Sequence, residues 1–383
     1  MKIRTITTGI SLTPEIETKK IKQGADFNRA VEEHFTNQGY VVQSTRLTTN
    51  PWGEYLAGYA PEQVISNLQR LDEICQDCQV SFVSIGCAKT PEEISLIPEI
   101  HQNTSESIFS CSDIGNVTQG IDWGNTRASA KAIKQMSEQS ENGYENFRFC
   151  ATANCPPGIP FFPASYHQVN TSYAIGLECS DLVKEAFTRA KSLPKAEACL
   201  KQIFTEKLSK VEKIAREISQ EWAIAYGGID VSVAPSLDPE DSIAYAYETF
   251  GYGKFGHQGT LTISAMITRV LKSLSVKTCG YSGLMLPVCE DVGLAERANE
   301  QTYGLTNLLL YSAVCGCGFD TVPLPGDITV EKLELMLLDM ASLAIQLDKP
   351  LAARLLPVPG KKVGEMTRFN SPYLVDTHIF PVD

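Results

Sequence analysis

Two cysteines, Cys315 and Cys317, are separated by one glycine in the stretch SAVCGCGFDTVP, which covers residues 312–323. Thiolates act as nucleophiles and as metal ligands, so the pair could serve as a metal clip, a redox pair or a catalytic thiol. A metal would need at least two more ligands from elsewhere, and a disulfide across one intervening residue would be strained. If residues 304–314 are helical, Cys315 lies at the negative end of the helix dipole, where a thiolate is disfavoured. The residues by themselves therefore favour a turn built from small side chains.

Two adjacent acids, Glu290 and Asp291, follow a short apolar run at 284–288 and open a helical pattern. Carboxylates at a helix N-terminus are stabilised by the macrodipole, which explains them without any function. Acids that follow a parallel strand also lie at the sheet edge where α/β proteins bind ligands. They could therefore hold a divalent cation as metal ligands, or act as acid and base. Ser282 and Gly283, in the small-residue loop before the run, are candidate substrate-binding residues.

A glycine-rich turn precedes another predicted helix, which begins near Thr260. Its Gly256 and Gly259 could present backbone N–H groups to an anion, with Thr260 beside them, and a flexible turn explains them equally well. The spacing fits neither the dinucleotide fingerprint nor the phosphate loop.

Two further side chains are candidates because of their position. His167 follows the stiff PFFPASY loop, where function concentrates, and could carry a proton. Arg354 lies in the last predicted strand and could pair with a substrate carboxylate.

The elements that would position these residues alternate between strand-like and helical patterns, which is typical of a mostly parallel sheet covered by helices. Helical spacing is clearest at 61–75, 125–136, 180–190, 195–226 and 329–347. The predicted strands cover residues 3–10, 40–48, 80–87, 107–114, 147–153, 172–177, 229–234, 284–288, 319–324 and 351–358. No repeat or low-complexity linker divides the sequence, so we predict a single α/β domain over residues 1–383.

Composition argues against several classes of function. The 383 residues carry a net charge of −12, which disfavours nucleic-acid binding because phosphate contacts need a concentrated basic surface. Two long uncharged stretches, 150–177 and 301–319, are broken by proline or by polar residues and glycine, so no membrane span is predicted. The first residues lack the apolar core of a signal peptide, and the 12 cysteines are therefore expected to be reduced thiols in the cytoplasm.

The order of several motifs resembles the family catalogued as domain-of-unknown-function family 711, or uncharacterised protein family 0210. The shared segments are IRTITTGISL at 3–12, PFFPASYH at 160–167, IDVSVAPSLDPEDSIA at 229–244, Gly-x-x-Gly-Thr at 256–260, SGLMLPVCEDVG at 282–293, AVCGCGFDTVPLPGD at 313–327 and RLLPVPGKKVGE at 354–365. Together they span nearly the whole chain. Members of this family look structurally like glycyl radical enzymes, so the resemblance implies a mostly parallel, ten-stranded α/β barrel around an inserted loop.

The resemblance also bears on the cysteines. Cys315 and Cys111 match cysteines of the family, and His167 matches without a shift, whereas Cys317 stands where other members carry an aliphatic residue. In glycyl radical enzymes a cysteine on the central loop forms the catalytic thiyl. The C-terminal region here lacks the Arg-Val-Ser/Thr-Gly-aromatic segment that carries the radical, and Gly360 and Gly364 stand in another context. A glycyl radical is therefore not expected.

These observations lead us to expect a non-radical enzyme that acts on a small polar or anionic metabolite in the barrel mouth. Cys315 or Cys111 would supply the thiol and His167 would carry a proton. Glu290 and Asp291 would be acid groups or ligands of a divalent metal. The alternative is a ligand-binding or sensing protein that keeps the barrel and has lost its chemistry. A homo-oligomer is compatible with both.

Overall fold

A computed structural model of the chain describes residues 1–140, 142–168, 170–190, 192–234 and 236–382. Its strands are β1 Lys2–Ile10, β2 Thr45–Thr49, β3 Phe82–Ala88, β4 Ile108–Asp113, β5 Gly115–Asn116, β6 Gly120–Ile121, β7 Phe149–Ala153, β8 Ser172–Glu178, β9 Ala225–Ala234, β10 Gly318–Pro325 and β11 Leu351–Val358. Over the described residues, nine of them form one sheet in the order β10-β11-β7-β4-β3-β2-β1-β8-β9, and β5 pairs with β6.

The strand directions divide the sheet into a central block and two flanks. β1, β2, β3, β4 and β7 run parallel to one another. β8 and β9 form a parallel pair that is antiparallel to β1, and β11 and β10 form a parallel pair that is antiparallel to β7. This arrangement confirms the predicted mostly parallel α/β architecture.

Helices connect the parallel strands and cover the sheet. They are α1 Thr18–Asn37, α2 Trp52–Tyr55, α3 Pro61–Asp77, α4 Pro91–Gln102, α5 Trp123–Ser137, α6 Ser180–Arg189, α7 Leu193–Trp222, α8 Ile243–Glu248, α9 Thr260–Lys272, α10 Val292–Asn299, α11 Leu305–Ser312 and α12 Val330–Gln346. Short 3₁₀ turns cover Tyr144–Arg148 and Pro239–Asp241. No helix in the described part of the chain has the length and apolar character needed to cross a bilayer.

The crossover helices form because their apolar residues recur at helical spacing. In α1, residues Ile21, Ala25, Val31 and Phe35 are buried. Burying an aliphatic or aromatic side chain of this size contributes about 1.5–3 kcal/mol, so this one face holds the helix on β1 and β2. Sequence alone placed the end of the longest helix, α7, too late, at residue 226. Ala223 adopts a left-handed backbone conformation with φ of 53°, which ends the helix, and β9 begins two residues later.

The two faces of the central strands have different surroundings, which β4 illustrates. Ser110 bonds His101 Nε2 of α4 at 2.9 Å, and Ser112 bonds Ser129 of α5 at 2.7 Å, so these side chains face the helices. Cys111 lies between them in sequence and therefore faces the other side. There it belongs to a small buried cluster with, among others, Cys87, Cys150, Phe161, Tyr281, Met285 and Cys317. This inner face, opposite the helices, is where the candidate site lies.

The segment predicted as a strand at 284–288 is not a regular strand. Leu284 makes a single parallel bridge to Val233 of β9, and the Val288 N–H donates to the Asp320 carbonyl of β10 at 3.0 Å. Pro287 has no N–H to give to a ladder, which interrupts regular pairing. The described sheet therefore has one regular strand fewer than the ten predicted, and the barrel implied by the family resemblance is not seen as a closed set of strands in the described residues.

Gly283, just before this segment, packs against the turn between Cys315 and Cys317. A Cβ atom on Gly283 would lie 2.7 Å from the Gly316 Cα atom, and one on Gly316 would lie 2.8 Å from the Gly283 Cα atom. The Gly316 N–H donates to the Leu284 carbonyl at 2.7 Å. Both positions therefore need glycine because the two backbones touch.

We predict that Gly316→Ala lowers the free energy of unfolding by about 1–3 kcal/mol, because the added methyl group pushes the two loops apart. Urea unfolding monitored by circular dichroism measures the change. Gly304→Ala is the matched control, since a Cβ atom there would meet nothing closer than the Asn307 Oδ1 atom at 4.0 Å. Equal stability of Gly316→Ala and the wild-type protein would contradict the close contact.

Candidate functional site

A cavity of about 200 Å³ opens at the amino ends of the central strands. Its exposed end is bounded by Arg4, Gln43 and Tyr373, and its buried end by Cys150, Tyr281, Met285 and Cys317. The walls between them are mainly aromatic and consist of Phe82, Phe109, Phe147, Phe161 and Phe162. The cavity thus joins a polar opening, an aromatic middle and a floor that carries thiols.

Arg354, predicted as a partner for a substrate carboxylate, already has carboxylate partners within the protein. Its Nε donates to Asp320 Oδ1 at 2.7 Å, and its guanidinium also bonds Glu290. Burial by itself would lower the pKa of Arg354, but Asp320 and Glu290 outweigh burial and raise it. Arg354 lines the cavity as the centre of an ion cluster, so its charge is balanced before any ligand arrives.

Arg46, on β2, has a different environment. Its Nε donates to Ser44 Oγ at 3.2 Å, and its guanidinium carbon lies 5.5 Å from the Phe82 ring centre and 5.1 Å from that of Phe162. Within the described part of the chain, no carboxylate forms an ion pair with it. Burial, Arg4 and Arg354 lower the pKa of Arg46, and Glu290 partly offsets that decrease. The charged form of Arg46 is therefore destabilised, and a bound anion would stabilise it. Of the three arginines that line the cavity, Arg4 and Arg354 have carboxylate partners, and Arg46 has none among the described residues.

The ion cluster also shows that the sheet curls around the cavity. Glu290 pairs with Arg354 of β11 and lies 3.7 Å from Arg4 of β1. These strands are separated by β7, β4, β3 and β2 in the sheet, a distance of about 24 Å if the sheet were flat. Side chains stand roughly perpendicular to a sheet, so one carboxylate reaches both arginines only because the sheet bends.

The two cysteines of the CGC turn face different surroundings. Cys317 lines the cavity, whereas Cys315 is packed into the main hydrophobic core and does not line it. The neighbouring Cys317 thiol lowers the pKa of Cys315 to about 6, together with the Lys349 ammonium and the backbone N–H groups of Cys317 and Gly318, against the effect of burial. The same thiol contact, together with burial, raises the pKa of Cys317.

Cys111 belongs to a row of thiols on neighbouring strands. It pairs in register with Cys87 on one side and with Cys150 on the other. All three are buried, and burial together with contact from Cys87 raises the pKa of Cys111 well above that of a free thiol. Of the three, Cys150 lines the cavity. Cys111 therefore lies behind the floor of the cavity and keeps its proton at neutral pH.

His167 lies at a second cavity, of about 170 Å³, which it shares with Thr7, Gly9, Thr48 and Tyr173, among others. Its backbone N–H donates to the Thr49 carbonyl at 2.8 Å, which ties the loop to the carboxyl end of β2. Arg4 and Gly9 lie near opposite ends of β1, so the two cavities lie at opposite ends of the strands. Cys315, Cys111 and Arg354 do not line this second cavity.

Glu290 and Asp291 point into different surroundings. Asp291 caps α10 through the Leu294 N–H at 2.9 Å, and it also accepts from Ser242 Oγ at 2.7 Å and from the Ile243 N–H at 2.6 Å. Glu290 joins the arginine cluster instead. Among the residues that the structure describes, no group of three or more His, Cys, Asp or Glu side chains could hold a metal ion. The two acids therefore do not share one site.

The remaining predicted ligand-binding residues satisfy their own backbone. Thr260 Oγ1 accepts from the Gly256 N–H at 3.0 Å and donates to the His257 carbonyl at 2.8 Å, so the turn before α9 closes on itself. Gly259 is the residue that precedes this helix, and none of Gly256, Gly259 and Thr260 lines either of the two cavities. Ser282 and Gly283 hold the loop behind Tyr281, because the Ser282 N–H donates to Asp230 Oδ1 at 2.9 Å.

A family described as "Uncharacterised ACR (DUF711)" matches residues 1–370. The chain belongs to this family. Its relatives include UPF0210 proteins of Syntrophobacter fumaroxidans, 26% identical over 97% of this chain and 88% of the relative, and of Listeria monocytogenes serotype 4a, 27% identical with the same coverage. A UPF0210 protein of Pyrobaculum islandicum is 29% identical over 88% of this chain and 78% of its own length.

A solved structure titled "Anaerobic ribonucleotide reductase" is also similar to this DUF711 chain. The two sequences are 10% identical, and the match covers 98% of this chain and 76% of the other chain, with a TM-score of 0.38. The family match agrees with the motifs of the sequence, and neither the family description nor the names of the UPF0210 relatives specify a reaction.

Sequence reasoning on this DUF711 chain missed the residues that give the cavity its charge and shape. Arg46 lies inside the predicted strand 40–48, and Arg4 inside the first motif; a cation within a strand of otherwise apolar and hydroxyl residues is the signal that could have identified them. Asp320 could have been found as the acid three positions after the CGC turn. Tyr281 and Tyr373 carry no sequence signal, because only the fold brings them to the cavity.

The raised pKa of Asp291 predicts a specific pH dependence of stability. Burial raises this pKa from 3.8 to about 6. Between these two pH values the carboxyl group ionises more readily in the unfolded chain, so the free energy of unfolding falls as pH rises. Asp291→Asn keeps a capping oxygen and cannot ionise. The unfolding free energy of the variant minus that of the wild type should therefore increase by about 3 kcal/mol between pH 4 and pH 7 in urea titrations. The exposed Asp327→Asn is the control, and a difference independent of pH would contradict the prediction.

Proposed function

We propose that this DUF711 protein is an enzyme that acts on a small monoanion with an apolar body, bound in the cavity between Arg46 and Cys317. The observation that carries this proposal is Arg46. A half-buried guanidinium without a carboxylate partner in the described residues is costly, and a ligand carboxylate or similar anion is what would pair with it. Arg4, at the mouth, adds a second positive charge beside it.

The walls of the cavity specify the rest of the ligand. Five phenylalanines surround the space between Arg46 and the floor, namely Phe82, Phe109, Phe147, Phe161 and Phe162. A buried apolar cavity of about 150 Å³ accommodates a benzene molecule, so about 200 Å³ leaves room for a ring or a short branched chain with its anionic group. We therefore propose an aromatic or aliphatic carboxylate as the substrate class.

The floor supplies the groups that could do chemistry. A ligand held by its anion at Arg46 would extend toward the thiols of Cys317 and Cys150 and the hydroxyl of Tyr281. We therefore propose Cys317 as the reacting thiol in place of Cys315 or Cys111, with Arg354 keeping Glu290 and Asp320 in position. His167 lies at the other cavity, and a role for it as proton carrier would require a separate ligand there.

We also propose that the irregular segment before α10 closes the sheet as the tenth strand of a barrel. Its bridges from Thr278 to Ile229 and from Leu284 to Val233, with its hydrogen bonds to β10, support that proposal. A single domain, a cytoplasmic location and a homo-oligomeric state stay predictions from the sequence.

Binding of simple carboxylates tests the function directly. We predict that benzoate and hexanoate bind the wild-type protein in isothermal titration calorimetry, that benzamide and acetate bind at least tenfold more weakly, and that Arg46→Gln loses the preference for the acid. Loss of one charge-assisted hydrogen-bonded pair, at about 1.5–3 kcal/mol, corresponds to roughly a tenfold to hundredfold loss of affinity.

Arg127→Gln is the matched control, because Arg127 pairs with Glu331 on the protein surface. Equal binding of benzoate and benzamide, or an Arg46→Gln variant that binds like the wild type, would overturn the anion site. Binding without any turnover of bound carboxylates would favour the ligand-binding alternative over an enzyme.

The pairing of both acids also makes a prediction about the expected metal. Because Glu290 is engaged by Arg354 and Asp291 by the α10 cap, we expect wild type and Glu290→Gln to contain the same amount of divalent metal per chain. Elemental analysis after purification without chelators measures it. A stoichiometric metal that is lost in Glu290→Gln would restore the cation as a cofactor and overturn this expectation.

A further inference from the structure

We propose that the second cavity, which His167 lines, is a separate binding site for a small neutral molecule that carries hydroxyl groups, of the polyol class. This cavity of about 170 Å³ lies at the opposite end of the strands from the arginines and thiols of the first cavity. Its lining residues differ from those of the first cavity, so binding here does not depend on the anion site at Arg46 or on the thiol of Cys317.

The second cavity lies at the edge of the sheet where α/β proteins usually bind ligands. Gly9 and Thr48 line it, and each is the last residue but one of its strand, β1 or β2. The two strands run parallel, so the cavity lies at their carboxyl ends. Gln168, which is exposed, and Ser172, which is half-buried, also line it and connect it to solvent. A small molecule can therefore reach the side chains inside.

Thr48 provides the observation that points to a ligand. The residue is 2% exposed, and its hydroxyl group has no hydrogen-bond partner among the described residues. Burying a hydroxyl group without a partner costs free energy, so such groups normally have one. Side chains alternate between the two faces of a strand, and Arg46, two residues earlier, lines the first cavity on the inner face. Thr48 therefore points to the inner face as well, where a hydroxyl group of a ligand would bond it.

Thr7 determines which polar group the ligand must carry. Its hydroxyl group donates its one hydrogen to the Pro160 carbonyl at 2.7 Å, so in its contact with the Thr5 hydroxyl at 3.1 Å it is the acceptor. A hydroxyl oxygen has two lone pairs, and the one that is left on Thr7 can only accept. A ligand that pairs with Thr7 must therefore donate an O–H or N–H, which a carboxylate cannot do.

The charge of the surroundings also favours a neutral ligand. Among the described residues, no Asp, Glu, Lys or Arg lines this cavity. A charged ligand would lose hydration without meeting an opposite charge on an acidic, lysine or arginine side chain. A polyol suits the pair of threonines, because its hydroxyl groups can donate to Thr7 and both donate to and accept from Thr48. The volume is close to that of a cavity that holds one benzene molecule, so a ligand of about the size of glycerol fits.

His167 is held beside Thr48 by the absence of a side chain at Gly9. A Cβ atom on Gly9 would lie 2.2 Å from His167 Nδ1, so the imidazole ring occupies the space that a side chain would fill. Gly9 pairs in register with Thr48 on the neighbouring strand, which places the ring next to the Thr48 side chain. The His167 N–H on the Thr49 carbonyl, at 2.8 Å, fixes the backbone there. His167 is therefore a wall of this site, and its ring signals report whether the site is occupied.

Nuclear magnetic resonance of the histidine rings tests the site. The chain has five histidines, and the spectrum of His167→Gln identifies the ring signal of His167. We expect glycerol to shift this signal in a saturable manner and to leave the signal of the distant His34 in place. Neither 1,2-dimethoxyethane, which is neutral but has no donor, nor sodium acetate should do so. No saturable shift with glycerol, or an equal shift with dimethoxyethane or acetate, would overturn the inference.

Matched threonine variants separate binding from a structural role. Thr48→Val should weaken glycerol binding by about threefold to tenfold, as for the loss of one neutral hydrogen bond, and should not lower the stability to urea. Thr8→Val is the control, because the Thr8 hydroxyl donates to Asn28 Oδ1 of α1 at 2.7 Å on the other face of the sheet. It should lower stability and leave glycerol binding unchanged.

Gly9→Ala provides a second, independent variant. Its added methyl group would displace the His167 ring, so glycerol should no longer shift the His167 signal. Wild-type affinity for glycerol in both Thr48→Val and Gly9→Ala would overturn the inference. So would a Thr48→Val variant that loses as much stability as Thr8→Val, because the Thr48 hydroxyl would then have a partner within the protein.

Discussion

The contact between the backbones of Gly283 and Gly316 holds together the two loops that form the buried end of the cavity. One loop carries Tyr281 and Met285, and the other carries Cys317. The first loop is anchored from behind by Asp230, which accepts the N–H groups of Tyr281 at 2.8 Å and Ser282 at 2.9 Å. The second loop packs against the first through main-chain atoms. The position of the Cys317 thiol therefore depends on Gly283, Gly316 and the buried carboxylate of Asp230.

The charged side chains inside the curled sheet are mostly paired, because burying an unpaired charge costs free energy. An isolated guanidinium in this space would lose several kcal/mol of hydration, and Arg354 is tolerated because Asp320 and Glu290 surround it. Arg4 lies between Glu178 at 3.5 Å and Glu290 at 3.7 Å, so its charge is shared. Arg46 remains unbalanced among the described residues and rests on aromatic rings instead. A chain with a net charge of −12 thus lines this cavity with three arginines and two carboxylates.

The sequence predicted the layers of this fold well and its interior poorly, for a physical reason. Helical spacing and apolar runs report which side chains meet a helix–sheet interface, and nine of the ten predicted strands correspond to regular strands in the described residues. The tenth, at 284–288, looked equally apolar, but Pro287 and the neighbouring glycine contact prevent regular pairing. The sequence placed Asp291 at the start of a helix, and it is the N-cap of α10. The inward-facing set of Arg46, Asp320, Tyr281 and Tyr373 comes from distant parts of the chain, and local patterns carry no information about the curvature that brings it together.

For Cys315, a correct local principle predicts a pKa shift in the wrong direction. The helix dipole does disfavour a thiolate at a C-terminus, but its effect fades beyond the last turn, and α11 ends at Ser312, three residues before the thiol. At that distance direct contacts decide. The neighbouring Cys317 thiol and two backbone N–H groups lower the pKa of Cys315, and the Lys349 ammonium, which donates to the Ser312 carbonyl at 2.8 Å, adds to that effect. In a medium of low dielectric constant a second negative charge beside the first is strongly disfavoured. The pKa of Cys317, which faces the cavity, is accordingly raised.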